Sequence, residues 1–276
     1  MRWAPAGTAA FLLAGCMAAS ADSDDTPAAK QPNPALDQRA ASMMAGGYLP
    51  RGAAPDSLAL NPPPPAAGSA AEARDKEAAN AALALRGSAR WDQAAIDADL
   101  FSPGTIGIFS CAAGMTLDPA RLPRLAALLR KAGPDLALAV YPSKRKYQRP
   151  RPFMVNNQPV CTPNDETLLR SDGSYPSGHS AIGYGWGLML AELIPSRAAQ
   201  LVARGRAFGD SRRVCNVHWL SDVEEGRVVA TAVYARLNAE AAFRADIAAA
   251  RAEIEDRRSA LPPPDCAREN AALAQP

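Results

Sequence analysis

The chain has 276 residues, 48% of them hydrophobic but only 6% aromatic, and a formal net charge of +2. That length supplies one core of ordinary size once both ends are set aside. The shortage of Val, Ile, Thr and aromatic residues argues against a β-sandwich and for helices packed on helices. A charge so near zero excludes a nucleic-acid partner held by bulk electrostatics, so any anion binding has to be local.

Residues 1–21 read as an export signal, with Arg2 as the positive start and Ala9 to Ala14 as a short apolar core. Leu13-Ala14-Gly15-Cys16 is similar to a bacterial lipobox, in which the cysteine is lipidated and becomes the mature N-terminus. Cleavage near Ala19 to Ala21 is the alternative. Either route places the chain in the periplasm or on the outer membrane facing it, with membrane contact only through a lipid at Cys16. The apolar core is too short to span a bilayer. Setting Cys16 aside leaves Cys111, Cys161, Cys215 and Cys266. In an exported chain an even number reads as two disulfides, with three possible pairings. No pair has the close spacing of a zinc site.

Residues 17–56, rich in Ala, Asp, Ser, Pro and Gly, read as a disordered tether. Leu58 to Asn61 followed by Pro62 to Pro65 reads as a stiff extended arm that opens a domain expected over 57–260, with 261–276 as a tail. Helical patterning starts at Ser69 and runs over Ala70 to Leu85. After Gly87-Ser88 it resumes over Arg90 to Leu100, with Trp91, Ala95, Ile96 and Leu100 at helical spacing. Thr105 to Ala113 reads as a buried helix. Pro119 to Leu129 reads as a clearer one, which Gly133-Pro134 ends before another over Asp135 to Tyr141. Residues 155–174 read as a polar loop holding Cys161. Ser180 to Leu193 is apolar nearly all round and is expected to be a central buried helix. Ser196 to Phe208, Asp222 to Leu237 and Ala239 to Arg258 complete an all-α, compact helical bundle around it.

Gly173-Ser174-Tyr175-Pro176-Ser177-Gly178-His179-Ser180 precedes that central helix. Pro176 can begin a helix, Ser177 can cap it, and Gly178 lets backbone come close to a ligand. Free N–H groups and the positive end of a helix dipole then converge on one point, an anion site that suits phosphate. Read alone, the stretch describes an ordinary capped helix equally well.

The sequence has only two histidines, His179 and His218. If the stretch around His218 is helical, Asp222 lies four residues on, on the same face, where it can fix one ring nitrogen and free the other as a nucleophile. Arg212, six residues before His218, can hold two phosphate oxygens. The run Lys144 to Phe153 is strongly basic. Its prolines prevent a straight helix after Gln148, so its cations can converge on one small anion; otherwise it is a solvated basic loop.

Lys144 with Arg151-Pro152, then Pro176-Ser177-Gly178-His179, then Ser211-Arg212 with His218 and Asp222, resembles in order and spacing the three-part signature of the type 2 phosphatidic acid phosphatase and vanadium haloperoxidase superfamily. Residues 57 to 250 are similar in their wider context to bacterial class A non-specific acid phosphatases. The resemblance implies the phosphatidic acid phosphatase fold and phosphomonoester hydrolysis with no cofactor and no metal. It implies phosphate binding by Lys144, Arg151, Arg212, Ser177 and Gly178. It implies His218 as the nucleophile oriented by Asp222, and His179 as the acid that protonates the leaving alcohol. It also implies small phosphomonoester substrates and a homo-oligomer.

The chain departs from the family's usual pattern in having Lys146, Gln148 and Pro150 where more aromatic residues are customary, and Asp210 beside Ser211. Cys111 and Cys266 are additional to that pattern. The resemblance suggests Cys161 paired with Cys215, leaving Cys111 for Cys266. A lipid phosphate phosphatase, a vanadium-dependent haloperoxidase and an envelope anion-binding protein are the competing readings.

Overall fold

The computed structural model describes Met1 and residues 46–50, 52–100 and 102–275. The expected signal, the lipobox at Cys16 and the tether as far as residue 45 lie outside the described residues. Among those described there is no strand, and the all-α expectation holds. In chain order the helices are α1 (Ser57–Leu60), α2 (Ala70–Leu83), α3 (Ala89–Ile96), α4 (Ser110–Ala113), α5 (Pro123–Leu138), α6 (Tyr141–Tyr147) and α7 (Pro152–Asn156). They continue with α8 (Glu166–Arg170), α9 (Gly178–Leu193), α10 (Ala198–Val214), α11 (Leu220–Leu237), α12 (Ala241–Arg257) and α13 (Ala267–Leu273). None is long and apolar enough to cross a membrane.

The central helix is α9. Ala181, Ile182, Trp186, Met189, Leu190 and Leu193 are all buried, and α5, α10, α11 and α12 pack around it. Its contact with α10 is backbone on backbone, because small residues face each other at the crossing. A Cβ on Gly205 of α10 would lie 2.8 Å from the Gly183 carbonyl oxygen and 3.2 Å from Tyr184 Cα. Neither atom can move without shifting a helix. Gly205→Ala is therefore expected to cost about 1–3 kcal/mol, the usual penalty for overpacking, and to lower Tm by several degrees in a thermal melt.

Several boundaries differ from those expected. Gly133-Pro134 does not end a helix. Instead, α5 runs through Pro134, because Leu125, Leu128, Leu129, Ala132 and Leu136 all bury on one face and offset the lost backbone bond. Thr105 to Ala113 is a 3-10 turn (Pro103–Phe109) leading into α4. The loop 155–174 contains α8.

Helix α3 is rotated from its apolar reading. Ile96 is exposed, whereas Arg90, Gln93 and Ala94 are buried. The reason is an ionic cluster under this helix. Arg204 holds Asp97 through two bonds of 3.2 and 2.6 Å, Ser211 Oγ donates to Asp97 at 2.6 Å, and Arg90 donates to Ser211 Oγ at 2.9 Å.

The packed chain also extends past both expected domain edges. Upstream of residue 57, Tyr48 is buried, and its N–H donates to Asp135 at 2.7 Å while its hydroxyl donates to Asp246 at 2.7 Å. The supposed extended arm begins as the single turn α1, and Tyr175 Oη donates to the Pro62 carbonyl at 2.7 Å. Downstream of 260, Ala272 is buried, Arg204 donates to Glu269 at 3.1 Å, and Cys266 is bonded to Cys111. The second disulfide joins Cys161 to Cys215. Both pairings are those the resemblance suggested.

Candidate active site

Ser177 is the N-cap of α9. Its Oγ accepts from the Ser180 N–H at 3.2 Å and from Ser180 Oγ at 2.9 Å. The helix starts at Gly178, so Pro176, expected to begin it, stands two residues earlier and ahead of the cap. The cap is tied to α11, since Ser177 N–H donates to the Asp222 carbonyl at 2.9 Å. The two segments come this close because residue 226 is glycine; a Cβ there would lie 2.5 Å from the Ser177 carbonyl oxygen.

His218 arrives from the other side of that contact. Helix α10 ends at Val214, Cys215 is anchored by its disulfide, and Asn216 turns the chain back at φ 62, a left-handed conformation that Asn tolerates. His218 therefore precedes α11 rather than lying in it. Asp222 meets it as the third residue of α11, reaching back over the helix start instead of along a helix face. Asp222 Oδ2 accepts from the Trp219 N–H at 2.8 Å and stands 3.3 Å from His218 Nδ1. On the opposite edge of the ring, Arg151 Nη1 is 3.0 Å from Nε2. A guanidinium can only donate, so Nε2 carries the lone pair and Nδ1 carries the proton that faces Asp222.

His179, half-buried, sets its Nε2 3.0 Å from the Ala98 carbonyl. A carbonyl only accepts, so Nε2 holds a proton there and Nδ1 is the nitrogen left for proton exchange. Both rings resist protonation well below the ordinary 6.5 of histidine. For each the main cause is burial, followed by neighbouring cations: Arg212 first for His179, and Arg151, Lys144 and Arg212 for His218.

The three cations predicted from the sequence are all buried in the same place. Lys144 is 4% and Arg151 1% exposed, whereas Arg145 and Lys146 face solvent. Spacing alone chose Lys144 over Lys146, and burial agrees. Arg151 is fully engaged. Its Nε donates to the Leu169 carbonyl at 2.8 Å and its Nη1 to the Val217 carbonyl at 3.0 Å. Arg212 is the opposite case. It is 1% exposed, yet its Nε and Nη1 have no acceptor among the described residues. Burial, and then Arg151, draws its pKa down to about 10, which still leaves it charged at neutral pH. Asp210, expected to add negative charge beside the site, is instead held by Arg227 at 2.5 Å.

The comparisons with known proteins cover this constellation. The PAP2 superfamily matches residues 129–240, which include Lys144 through Asp222. An acid phosphatase of Zymomonas mobilis subsp. mobilis is 43% identical over 210 residues, 76% of this chain and 80% of the relative. The chain belongs to the bacterial class A non-specific acid phosphatases of the PAP2 superfamily. The non-specific acid phosphatase of Salmonella typhimurium is 42% identical over 204 residues, covering 72% of this chain and 80% of the relative. That of Providencia stuartii is 38% identical over 208 residues, covering 75% and 84%.

All eight residues named from the sequence of this acid phosphatase thus lie in one neighbourhood. Two further ones did not stand out. Arg149, taken only as part of a basic run, donates to Asp222 Oδ1 at 2.7 Å, to Ser221 Oγ at 2.8 Å and to Asp75 at 2.6 Å. It fixes the carboxylate that faces His218. Burial pushes the Asp222 carboxyl up, and Arg149 with the Trp219 N–H opposes this. Asp172 is the second and pairs with Lys144 and Arg151. Arg149→Ala is expected to lower kcat about ten- to a hundredfold, the value of one charge-assisted hydrogen bond. Arg149→Lys should recover part of that loss, and steady-state kinetics on both variants would check it.

The histidines also set an acid limit on stability. Their folded pKa values lie below the unfolded value of 6.5, so below that pH the unfolded chain binds protons first. The stability they contribute is fully present above pH 6.5 and is lost as pH falls from there toward the folded values. For buried His218 the slope approaches about 1.4 kcal/mol per pH unit. Thermal melts in phosphate-free buffer should show Tm falling as pH drops through this window, with a smaller fall in His218→Asn.

Proposed function

We propose that this chain is an exported acid phosphatase that hydrolyses a broad range of phosphomonoesters through a phosphohistidine on His218. Membership of the acid phosphatases already makes it a phosphoric monoester hydrolase. The observation that carries the finer reading is Arg212: a buried cation whose Nε and Nη1 have no acceptor among the described residues, beside Lys144, Arg151 and the capped start of α9. A tetrahedral dianion supplies the acceptors that arginine lacks. Lys144, Arg151, Arg212, Ser177 and the Gly178 N–H would hold its oxygens.

In the first step His218 Nε2 forms a bond to phosphorus as the ester P–O bond breaks, while Asp222 keeps the proton on Nδ1. For that, Arg151 Nη1 must transfer its hydrogen bond from Nε2 to the phosphoryl group. The leaving oxygen takes a proton from His179. The negative charge of a bound phosphate offsets the field of Arg212 and allows His179 to carry that proton. In the second step His179 removes a proton from water, which attacks phosphorus and breaks the P–N bond. An alcohol in place of that water would give phosphotransfer. Three cations and a helix N-terminus stabilise the transferring group without a metal.

Export rests on the signal-like start, with Cys16 as the lipid attachment point and the periplasm as the destination. A homo-oligomer is the family expectation. The test is a discontinuous phosphatase assay from about pH 4 to 8 on a nucleotide, a sugar phosphate and long-chain phosphatidate, with and without chelator. Chelator-resistant turnover of the soluble esters supports the reading. Turnover of phosphatidate alone favours a lipid phosphatase, halide oxidation after vanadate loading favours a haloperoxidase, and phosphate binding without turnover favours an anion-binding protein. Palmitate labelling lost in Cys16→Ser would locate the anchor.

A further inference from the structure

Two of the three cations that would hold phosphate already have an anion of the protein's own. Asp172, in the loop between α8 and α9, sets one carboxylate oxygen 2.9 Å from Lys144 Nζ and 3.3 Å from Arg151 Nη2. The same two cations also donate to the Gly173 carbonyl next to it. Among the described residues Arg212 receives no such partner at its Nε and Nη1. Asp172 remains 28% exposed, unlike the cations it joins, so its carboxylate has a solvent-facing side. Burial pushes this carboxyl up, but Lys144 and Arg151 outweigh burial and hold it below the usual carboxylate range.

We propose that Asp172 is an internal counter-anion that competes with the phosphoryl group for Lys144 and Arg151, and so limits how tightly substrate and product phosphate are held. This rests on the phosphate-site reading above. A carboxylate this near a bound dianion repels it, and each hydrogen bond it takes from Lys144 or Arg151 is one the phosphoryl oxygens do without. Turnover gains from the competition. Inorganic phosphate is the product, and a site with three unopposed cations would hold it too long. Asp172 is therefore an affinity-setting residue; bond making and breaking are left to His218 and His179.

The test measures inorganic phosphate binding by calorimetry, and as product inhibition of p-nitrophenyl phosphate hydrolysis, at about pH 6. Asp172→Asn and Asp172→Ser remove the charge, and Asp172→Glu keeps it. The two neutral variants should bind phosphate about tenfold or more tighter than the wild type, with KM lowered. Asp172→Glu should stay close to the wild type. A purely structural Asp172 would weaken phosphate binding in both neutral variants, and equal or weaker binding there in an active enzyme overturns this proposal alone. No phosphate binding by the wild-type protein would overturn it together with the site reading. Should the neutral variants fail to fold, carbon-detected NMR of the Asp172 carboxyl in the wild type decides. Competition requires its pKa to rise when phosphate saturates the site, by linkage, and an unchanged value refutes it.

Discussion

His218→Ala will lose phosphomonoester hydrolysis by about ten-thousandfold or more, with little change in the fold. The asymmetry follows from what surrounds the ring. Asp222 keeps its bonds to Arg149 and to the Trp219 N–H without the imidazole, and Arg151 Nη1 keeps the Val217 carbonyl. No buried charge is stranded by the substitution. Catalysis would have no substitute, because in the proposed mechanism the attacking lone pair is that of His218 Nε2, the nitrogen that faces Arg151 while Nδ1 faces Asp222. Rapid acid-free quenching of the wild type with radiolabelled substrate should trap a phosphoenzyme that is stable to alkali and labile to acid. The variant should trap none.

His179→Ala gives the complementary result. Measured as the rate of phosphoenzyme formation, its loss should be small with p-nitrophenyl phosphate, whose leaving group needs no acid, and much larger with an alkyl phosphate. Hydrolysis of the phosphoenzyme loses its base with both. Equal losses in the rate of phosphoenzyme formation on the two substrates would remove His179 from the role of leaving-group acid. Full activity in His218→Ala would remove the nucleophile assignment itself.

How far the sequence carried these conclusions depends on the kind of interaction. The fold class and the central helix were legible because Ser180 to Leu193 is apolar on every side, a pattern that only burial satisfies. The eight proposed site residues could be named because their spacing matches the family signature, and the fold brings them into one neighbourhood. The register of α3 was not. Its buried face reads Arg90, Gln93, Ala94 and Asp97; Ser211 of α10 holds Arg90 and Asp97, and Arg204 of α10 holds Asp97, some 110 residues away in sequence. Periodicity counts apolar residues and sees nothing of an ionic cluster assembled from distant segments.

Arg149 and Asp172 were hidden for the same reason. Within the run from Lys144 to Arg151 nothing marks Arg149 as the cation that turns toward Asp222 and Asp75. Asp172 looked like one more polar loop residue. Pro134 misled in the opposite direction, since a local rule yielded to the burial of a whole helix face.

Arg212→Met should separate function from stability most sharply. Hydrolysis is expected to fall about a hundred- to a thousandfold, the cost of one preorganised donor facing developing charge. The folded protein should nonetheless become more stable by about 1–3 kcal/mol in phosphate-free buffer. The reason is that burial of Arg212 outweighs the attraction of Asp165 and Asp97. It is 1% exposed, it lies near the Arg151 guanidinium, and its Nε and Nη1 have no acceptor among the described residues. Methionine fills similar volume with no charge to desolvate, so the unliganded state is relieved of both penalties.

Added phosphate should reverse the order of stabilities. It raises the Tm of the wild type by mass action on the folded state and raises that of the variant far less. Melts of both proteins across a phosphate titration therefore test one idea from two sides. A variant less stable than the wild type without phosphate would mean that Arg212 has partners in the resting protein. A variant equally stabilised by phosphate would mean that the anion binds elsewhere. The outcome expected from the geometry is crossing curves, with the wild type the less stable protein without phosphate and the more stable one at saturation.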